Sequence, residues 1–365
     1  MYIREIEING FRNYEKLTEN FDEDVNMFIG DNAQGKTNLL EAIYLTSLGR
    51  SFRTSKDKEL ISFDSEFCRV KGLIIKNEEE LVIEIAINSL GKKYVKINGK
   101  QIKKMSDLLE NVFIVVFSPE DLKIVKDEPE KRRKFIDREL SQLRPSYYNN
   151  LTSYKKVLLQ RNMYLKGNII DNNILDVWEE KLSEYGSKVI LQRQEFIKKI
   201  SKISSNIHKS ITNEKENLNI IYDANIKVEE TLKEQIKKYK KILKNSRGED
   251  IKIRTTRRGP HKDDIKIFSN DIELRNFGSQ GQQRTAALSL KLSEIKLAKD
   301  ETGETPILLL DDVLSELDIG RQNYLIKSFK NTQIFITTTE LNETVKNSFP
   351  KGKTFLIKSG KVEEK

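Results

Sequence analysis

A short segment near the start of the chain has the residue types and spacing of a phosphate-binding loop. Gly30-Asp31-Asn32-Ala33-Gln34-Gly35-Lys36-Thr37 fits the pattern G-x-x-x-x-G-K-[ST]. In such a loop the glycines let the backbone wrap around phosphate groups, and the N–H groups of the following helix point toward them. Lys36 is expected to neutralise β- and γ-phosphate charge, and the Thr37 hydroxyl is expected to bind Mg²⁺. The pattern therefore predicts a phosphate site rather than an incidental glycine-rich turn.

A pair of carboxylates follows an apolar segment late in the chain. Residues 307–310 read as a buried strand, and Asp311 and Asp312 come directly after it. Asp311 would bind Mg²⁺ directly or through water, while Asp312 would orient the attacking water and accept its proton. The pair could instead cap a helix, because Asp312 precedes Val313 and Leu314. The phosphate-binding loop favours the catalytic interpretation, with Asp312 and Lys36 as the catalytic residues.

A third segment, residues 277–284, combines the start of a helix with small polar residues. Ser279 is positioned to cap that helix, and Gly281 allows a close approach of the backbone. Together with Gln282 they offer a hydroxyl group, N–H groups and the positive end of a helix dipole to an anion. An isolated pattern of this kind is more often an ordinary capped helix. Its place just before the Asp311-Asp312 strand favours a second phosphate-binding surface.

Length and composition limit what can surround these segments. The 365 residues exceed the usual size of one domain, and 37% apolar residues are enough to build cores, which excludes wholesale disorder. No apolar run approaches the ~20 residues of a membrane span, and no signal-peptide pattern is present, so we expect a cytosolic protein. With Cys68 as the one cysteine and only His208 and His261, neither a disulfide nor a structural metal centre is favoured.

The chain carries an excess of positive charge. The 65 Lys or Arg residues against 56 Asp or Glu give a net charge of +9. Residues 151–250 hold 20 basic and 14 acidic residues, so about two thirds of the excess lies there. This charge is compatible with a nucleic-acid partner and, equally, with solvated helix surfaces.

Strand and helix patterns alternate in the first and last thirds of the chain, and long helical patterns occupy the middle. Residues 130–245 contain an apolar stripe at sevenfold spacing, and breakers at 167–168 and 171–173 divide this region into antiparallel helices. A helix of about 35 residues would extend about 50 Å. The remaining predictions are strands at 3–8, 25–29, 112–117, 307–310 and 334–338, an antiparallel meander at 68–97, and helices at 36–48, 282–297 and 320–329.

The order of these segments resembles the ABC-type ATPase head of SMC-like chromosome and repair proteins, and in particular its bacterial recombination-repair members. The resemblance covers nearly the whole chain and rests on residues 11–14, 30–37, 49–54, 117–122, 132–137, 259–264, 279–282 and 310–318. It implies an α/β fold, an ATPase head with mixed sheets and a phosphate loop, plus an inserted α-helical arm domain. The expected division is 1–125 for the N-terminal part of the head, 126–250 for the arm and 251–365 for the C-terminal part of the head.

The resemblance also implies a function. In that architecture ATP and Mg²⁺ are held between the phosphate loop of one subunit and the signature segment at Ser279 of another, so ATP drives homodimerisation. The chain would bind gapped duplex or single-strand/double-strand junction DNA without sequence preference, and hydrolyse ATP slowly with stimulation by DNA. It would act with RecR and RecO, and indirectly with RecA. Alternatives from other classes are the nucleotide-binding subunit of a transporter and a long-armed SMC-type DNA tether.

Two departures from transporter-type heads predict weak catalysis. Asp312 stands where those proteins usually have the longer Glu, and Thr339 stands where a switch His is expected. The lid Gln is not evident, and Gln34 and the segment 118–121 are the candidates for its role.

Basic residues in four places are candidates for DNA contacts. Two short basic segments flank the arm, and if they meet in space they form a cationic surface suited to phosphates. Paired surface charges are the alternative interpretation. His261 has no nucleophile or second His beside it in the pattern, so we expect a structural hydrogen-bonding role. The DNA-binding candidates are Arg12, Arg50, Arg53, Lys131, Arg132, Arg133, Lys134, Arg257 and Arg258.

Overall fold

The computed structural model describes residues 1–329, 331–339, 349 and 352–365. The chain divides into two compact units, a head unit of Met1–Leu122 with Glu294–Lys365 and an arm unit of Lys123–Ser293. The expected boundary after residue 250 lies inside the arm unit, because a strand before it pairs with a strand after it. The α/β head with an inserted helical arm is confirmed as the fold class.

A mostly parallel sheet forms the centre of the head unit. Its strands are β3 Val25–Ile29, β8 Ile114–Phe117, β12 Ile307–Asp311, β13 Ile334–Thr338, β14 Lys353–Lys358 and β15 Lys361–Glu364. The order is β15-β14-β3-β13-β12-β8, and every neighbouring pair is parallel except β14 with β15. Continuous apolar runs such as that of β12 suit strands that are buried on both faces. Because the strands are parallel, their carboxyl ends meet at one edge.

An antiparallel sheet forms the second layer of the head unit. Its strands, in the order β2-β1-β4-β5-β6-β7, are β1 Tyr2–Phe11, β2 Tyr14–Asn20, β4 Phe67–Lys76, β5 Glu79–Asn88, β6 Lys93–Ile97 and β7 Lys100–Gln101. Asn98 and Gly99 form the turn between β6 and β7, and both residues have positive φ values, of 48° and 77°. The meander prediction is therefore confirmed, and β2 is an additional strand.

Helix α1, Lys36–Leu48, contacts strands of both sheets in the head unit. Its bounds agree with the helix predicted at 36–48. Nearly all of its side chains from Leu39 onward are buried, since a layer lies on each side. Among its described residues the head unit also contains the helices α2 Ser106–Leu109 and α9 Ile319–Lys327.

The arm unit consists of long helices and a small antiparallel sheet. Its helices are α3 Pro129–Leu143, α4 Pro145–Tyr164, α5 Asn172–Ile211, α6 Leu232–Ile253 and α7 Leu274–Phe277, and α8 Gln280–Thr302 begins here and continues into the head unit. The sheet has the order β11-β10-β9, with β9 Leu218–Asp223, β10 Asp264–Ser269 and β11 Ile272–Glu273. Helix α5 has 40 residues, which corresponds to about 60 Å.

Buried arginines hold the arm unit together. The guanidinium group of Arg193 donates to Asp137 at 2.7 Å, to Asp263 at 2.9 Å and to the carbonyl of Pro260 at 2.6 Å. Arg161 pairs with Glu179 and Asp250, and all three side chains are fully buried. Removing one partner of a buried ion pair typically costs about 3–5 kcal/mol, because the other charge is left uncompensated. The positive charges of Arg161 and Arg193 are therefore structural.

Candidate nucleotide-binding site

The predicted phosphate-binding loop connects β3 to α1 at the carboxyl edge of the parallel sheet. Gly35 has a φ of 119°, and a Cβ atom there would lie 2.6 Å from the side-chain amide of Asn13. Only glycine fits this backbone conformation and this space. Lys36 Nζ donates to the carbonyl oxygens of Gly30 at 2.5 Å and Asp31 at 3.0 Å. The ammonium group therefore lies inside the loop, where a phosphate would be held.

The loop meets the first carboxylate of the Asp311-Asp312 pair across the sheet edge. The Thr37 hydroxyl donates to Asp311 Oδ1 at 2.8 Å, and the Thr337 hydroxyl, near the end of β13, donates to the same oxygen at 3.0 Å. A hydroxyl and a carboxylate are the oxygen ligands that Mg²⁺ prefers. The residues at this edge therefore fit the predicted metal and phosphate group, although Thr37 and Asp311 are 274 residues apart.

Asp312 adopts a left-handed backbone conformation with a φ of 51°, and its N–H group donates to Thr337 Oγ1 at 2.9 Å. Its side chain does not cap the following 3-10 helix, Val313–Glu316. The helix-cap alternative is therefore wrong. Burial raises the pKa of the Asp312 carboxyl group, the Lys36 ammonium lowers it by less, and the Asp311 carboxylate raises it further. A carboxylate of raised pKa is a stronger proton acceptor.

The candidates for the lid role have different surroundings. Gln34 Oε1 accepts a hydrogen bond from the N–H of Ser359 at 2.7 Å, and the Gln34 carbonyl accepts one from Gly360 at 3.0 Å, so the β14–β15 turn holds this residue. Ser118, just after β8, donates through both its N–H and its hydroxyl to Asp121 at 2.9 Å. Thr339, which replaces the switch His, is exposed after β13.

The predicted second phosphate surface lies in the arm unit at the start of α8. The N–H of Ser279 donates to Gln282 Oε1 at 3.0 Å, and the N–H of Gln282 donates to Ser279 Oγ at 3.2 Å. This reciprocal pair is a capping box with Gln at its second position. Ser279 and Gly281 are exposed. In this arrangement the Ser279 hydroxyl acts as an acceptor, so its own proton can still be donated to a phosphate oxygen.

The DNA-binding candidates of the head unit flank α1. Arg12 forms a two-point ion pair with the buried carboxylate of Glu41, with both distances at 2.8 Å. Arg53 is exposed and donates to Asn38 at 2.7 Å, and Arg50 is also exposed. The guanidinium group of Arg12 therefore serves mainly to stabilise the fold, while the side chains of Arg50 and Arg53 are exposed to solvent.

The basic run at the start of α3 separates into structural and surface residues. Arg132 is buried and donates to both carboxylate oxygens of Asp264 at 2.7 and 2.8 Å, so its proposed DNA contact is contradicted by its burial. Arg133 donates to the carbonyl of Asp263 at 2.7 Å. Lys131 and Lys134 are exposed. Buried and exposed residues alternate along this run because only one face of α3 packs against the rest of the arm unit.

The second basic pair stays at the surface of the arm unit. Arg257 and Arg258 are both exposed, and Arg257 pairs with Glu249 at 2.6 Å. The hydrogen bond of Arg133 to the carbonyl of Asp263 shows that the start of α3 contacts the segment that follows Arg257 and Arg258.

His261 is held between two oxygen atoms. Its Nε2 lies 2.9 Å from the carbonyl of Thr256, which can only accept, and its Nδ1 lies 2.7 Å from the hydroxyl of Tyr154. Nε2 therefore carries a proton, and because burial lowers the pKa of the ring, Nδ1 is unprotonated and accepts from Tyr154. The expected structural role agrees with these contacts.

Several site residues were missed in the sequence. Thr337 links both aspartates, Asn13 contacts the loop carbonyl of Gln34, and Glu41 pairs with Arg12. Thr337 lies near the end of a predicted strand, as Asp311 does, and this position is a sequence signal for a place in the site. The sequence gives no signal for the role of Glu41, because this role depends on a contact with Arg12, which is 29 residues away in the sequence.

Comparisons with known proteins identify close relatives over the whole chain. A family model described as "RecF/RecN/SMC N terminal domain" matches residues 2–354. DNA replication and repair protein RecF of Clostridioides difficile (strain 630) is 47% identical over 344 residues, covering 94% of this chain and 92% of that protein. The protein of the same name from Alkaliphilus oremlandii (strain OhILAs) is 45% identical over 100% of both chains.

Solved structures agree with these relatives. One described as "recombination mediator protein RecF-ATPrS in RecFOR pathway" has a TM-score of 0.93 and 40% identity, and the match covers 100% of this chain and 98% of that one. A second, described as RecF-ATP in the same pathway, has a TM-score of 0.92 and 40% identity, covering 100% and 97%. An Smc head bound to the C-winged helix domain of ScpA has a TM-score of 0.57 at 18% identity and covers 100% and 97%, so it shares the fold.

We predict that His261 stays neutral well below pH 6.5. Burial lowers its pKa to about 4. Because the unfolded chain titrates near 6.5, the group favours the folded state fully above about pH 6.5 and loses that contribution as the pH falls to about 4. Nitrogen NMR of histidine-labelled protein measures this directly, since the chain has only two histidines. Tyr154→Phe, which removes the donor to Nδ1, should raise the midpoint, and a wild-type midpoint near 6.5 would contradict the assignment.

Proposed function

The chain belongs to the RecF/RecN/SMC N-terminal domain family and, within it, to the RecF group of DNA replication and repair proteins, and we propose that it acts as an ATP-driven switch for DNA binding. The observation that carries the proposal is the cluster of Thr37, Asp311 and Lys36 at the carboxyl edge of the parallel sheet. This cluster combines a phosphate loop, an ammonium group and the oxygen ligands for a divalent cation.

ATP binding is assigned to the loop from Gly30 to Thr37, and Mg²⁺ binding to Thr37 and Asp311. Bound Mg²⁺ supplies positive charge that stabilises the phosphates as charge develops on them. Lys36 leaves its carbonyl partners and binds the β- and γ-phosphates, and Asp312 holds and deprotonates the attacking water. The raised pKa of Asp312 supports the base role. Its short side chain and Thr339 in place of a switch His support slow hydrolysis.

Dimerisation is assigned to the signature segment. Ser279, Gly281 and Gln282 of one copy bind the γ-phosphate held by the loop of a second copy, so that ATP joins two subunits. The exposure of Ser279 and Gly281 and the helix N-terminus beside them support this assignment. Hydrolysis removes the γ-phosphate that both copies contact, and the dimer is then released.

DNA binding is assigned to exposed basic residues that contact phosphates without reading sequence. They are Arg50 and Arg53 in the head unit and Lys131, Lys134, Arg257 and Arg258 in the arm unit. Arg12 and Arg133, which carry internal hydrogen bonds, contribute positive potential near these surfaces. Gapped duplex and single-strand/double-strand junctions are the proposed substrates, and DNA binding stimulates hydrolysis.

The RecFOR pathway named for the solved relatives supports RecO and RecR as partners, through which the protein would help to load RecA. A location in the cytoplasm, where bacterial chromosomal DNA lies, is part of the same proposal. Within the part of the chain that the structure describes, no helix is long and apolar enough to cross a bilayer.

The two alternative functions have less support. The curated relatives match over nearly the whole chain and are replication and repair proteins, which favours the repair function over a transporter subunit. The arm helix of 40 residues is short for bridging distant DNA segments, which disfavours a long-armed tether.

We predict that ATP converts the protein from monomer to dimer, and that Lys36→Arg and Ser279→Arg each prevent the change. The first variant disturbs the group that binds the phosphates, and the second places a bulky side chain where the partner's nucleotide must bind. Sedimentation velocity with and without ATP and Mg²⁺ measures the effect. Ser210→Arg, at an exposed position late in α5, is the matched control and should dimerise as wild type. If both variants dimerise at the ATP concentration that dimerises the wild-type protein, the proposed ATP-bridged dimer is wrong.

We predict that Lys131→Ala, Lys134→Ala and Arg258→Ala together weaken binding to gapped duplex. Each lost phosphate contact should reduce the magnitude of the slope of log affinity against log salt concentration by about 0.9. For the triple variant this magnitude should therefore fall by about 2.7. Fluorescence anisotropy across a salt series measures both quantities. Lys166→Ala, Lys181→Ala and Lys233→Ala remove the same charge from other exposed positions of the arm unit and serve as the control. Equal slopes for the two triple variants would place the DNA surface elsewhere.

A further inference from the structure

A buried histidine lies beneath the signature segment in the arm unit. His208, near the end of α5, is fully buried. Its Nδ1 lies 3.0 Å from the hydroxyl of Ser289 in α8, and its Nε2 lies 3.1 Å from a carboxylate oxygen of Glu216 in the loop before β9. This residue takes no part in the proposed nucleotide chemistry.

The hydrogen-bond partners determine how many protons the ring carries. The Ser289 hydroxyl lies 2.8 Å from the carbonyl of Thr285, to which it can only donate, and with its one proton placed there it accepts toward Nδ1. A carboxylate is also only an acceptor. With the Ser289 proton on the Thr285 carbonyl, both ring nitrogens of His208 face acceptors and each carries a proton, which makes the ring an imidazolium cation.

Glu216 is ionised in this arrangement. Burial raises its pKa, but hydrogen bonds from Gln282, His208 and Ser269 outweigh that effect, so the net pKa is below the usual value for Glu. Ser269 of β10 donates its hydroxyl to the same oxygen that faces His208, at 3.2 Å. The buried positive ring thus has a negative partner, as a buried charge requires.

The same carboxylate contacts the signature segment. Glu216 Oε1 accepts from Gln282 Nε2 at 3.1 Å, which orients the amide so that its oxygen faces the N–H of Ser279 at 3.0 Å. The Gln282 N–H in turn donates to Ser279 Oγ. A continuous set of hydrogen bonds therefore runs from α5 through Glu216 to the serine hydroxyl at the start of α8.

We propose that His208 is a permanently protonated imidazolium and that the His208–Glu216 ion pair positions Ser279 for the γ-phosphate of a second copy. The inference rests on the proposed function, in which Ser279 binds that phosphate. Both are positioning residues, because they act on the nucleotide only through Gln282 and Ser279. The ion pair keeps the Glu216 carboxylate charged, and a charged acceptor holds the Gln282 amide more firmly than a neutral one.

The charges around the ring favour the cation. Glu216 faces it from the loop after α5, and α8 presents the neutral Ser289. The β10 residue that reaches this site, Ser269, is neutral and contacts Glu216. Lys209 and Lys215 lie beside these residues in sequence; Lys215 is exposed and Lys209 half-buried.

The protonation state is tested by nitrogen NMR on histidine-labelled protein, without nucleotide. We expect one histidine, His208, to show protons on both ring nitrogens from pH 6 to pH 8, beside the neutral pattern of His261. Ser289→Ala removes the acceptor at Nδ1 and should shift His208 toward the neutral Nε2–H form. A neutral His208 in wild-type protein at pH 7 would overturn the imidazolium assignment.

The positioning role is tested by ATP-dependent sedimentation of Glu216→Gln. This isosteric change removes the charge, so we expect the ATP-induced dimer to weaken about 10- to 100-fold, the usual effect of losing a hydrogen bond to a charged group. Glu214→Gln, at an exposed position in the same loop, is the control and should behave as wild type. His208 should lose its second proton in Glu216→Gln, while His261 should keep its lowered pKa, which shows that the variant is folded.

The outcomes separate the two claims. If wild type dimerises with ATP and Glu216→Gln dimerises equally well, the positioning role is wrong, while the proposed ATP-bridged dimer is retained. If wild type does not dimerise at all, the proposed function fails and the positioning role fails with it. The nitrogen spectrum still decides the protonation of His208 in that case, because it needs neither ATP nor a second copy.

Discussion

The hydrogen bond between Thr37 and Asp311 is the interaction on which the nucleotide site depends. It joins two residues that are 274 positions apart, and it forms because β3, β13 and β12 are parallel neighbours whose carboxyl ends share one edge. The buried apolar strands fix the register, and the register fixes where the loop and the carboxylates meet. Thr337 from the strand between them contacts both aspartates and completes the cluster. Any change that shifts these strands would therefore act on phosphate binding and metal binding together.

In the arm unit, charge has two distinct uses. Arg132, Arg161 and Arg193 are buried and paired, so they connect helices of the arm unit to one another and to residues 263–264. Lys131 and Lys134 are exposed on the same helix as Arg132, and Lys134 pairs with Glu130 at 2.7 Å at the surface. Net charge alone does not separate the two uses. Burial does, because a buried guanidinium group that binds carboxylate oxygens is not available to DNA phosphates, whereas an exposed pair such as Lys134 with Glu130 is solvated.

The sequence predicted the parts of the fold that follow local rules. The strands at 25–29 and 334–338 and the helix at 36–48 agree with the structure, since the strands are short, mainly apolar runs and the helix has apolar residues at helical spacing. Strand β2 was missed because it is mostly polar, and β9 because it lies between long helical patterns. The burial of Arg132 was not predictable locally, because its partner, Asp264, is 132 residues away. The contacts of Glu216 and His208 with α8 likewise depend on tertiary packing.

The central claim is that Mg²⁺ and ATP bind at the Thr37–Asp311 edge and are closed by Ser279 of a second copy. The most direct measurement is a crystal or electron-microscopy structure of the protein with Mg²⁺ and a non-hydrolysable ATP analogue. The account predicts a two-fold dimer in which Thr37 and Asp311 reach the metal, directly or through water, and Ser279 of the other subunit is hydrogen-bonded to the γ-phosphate. A nucleotide bound in the loop with Ser279 of every neighbouring copy far from it would contradict the account.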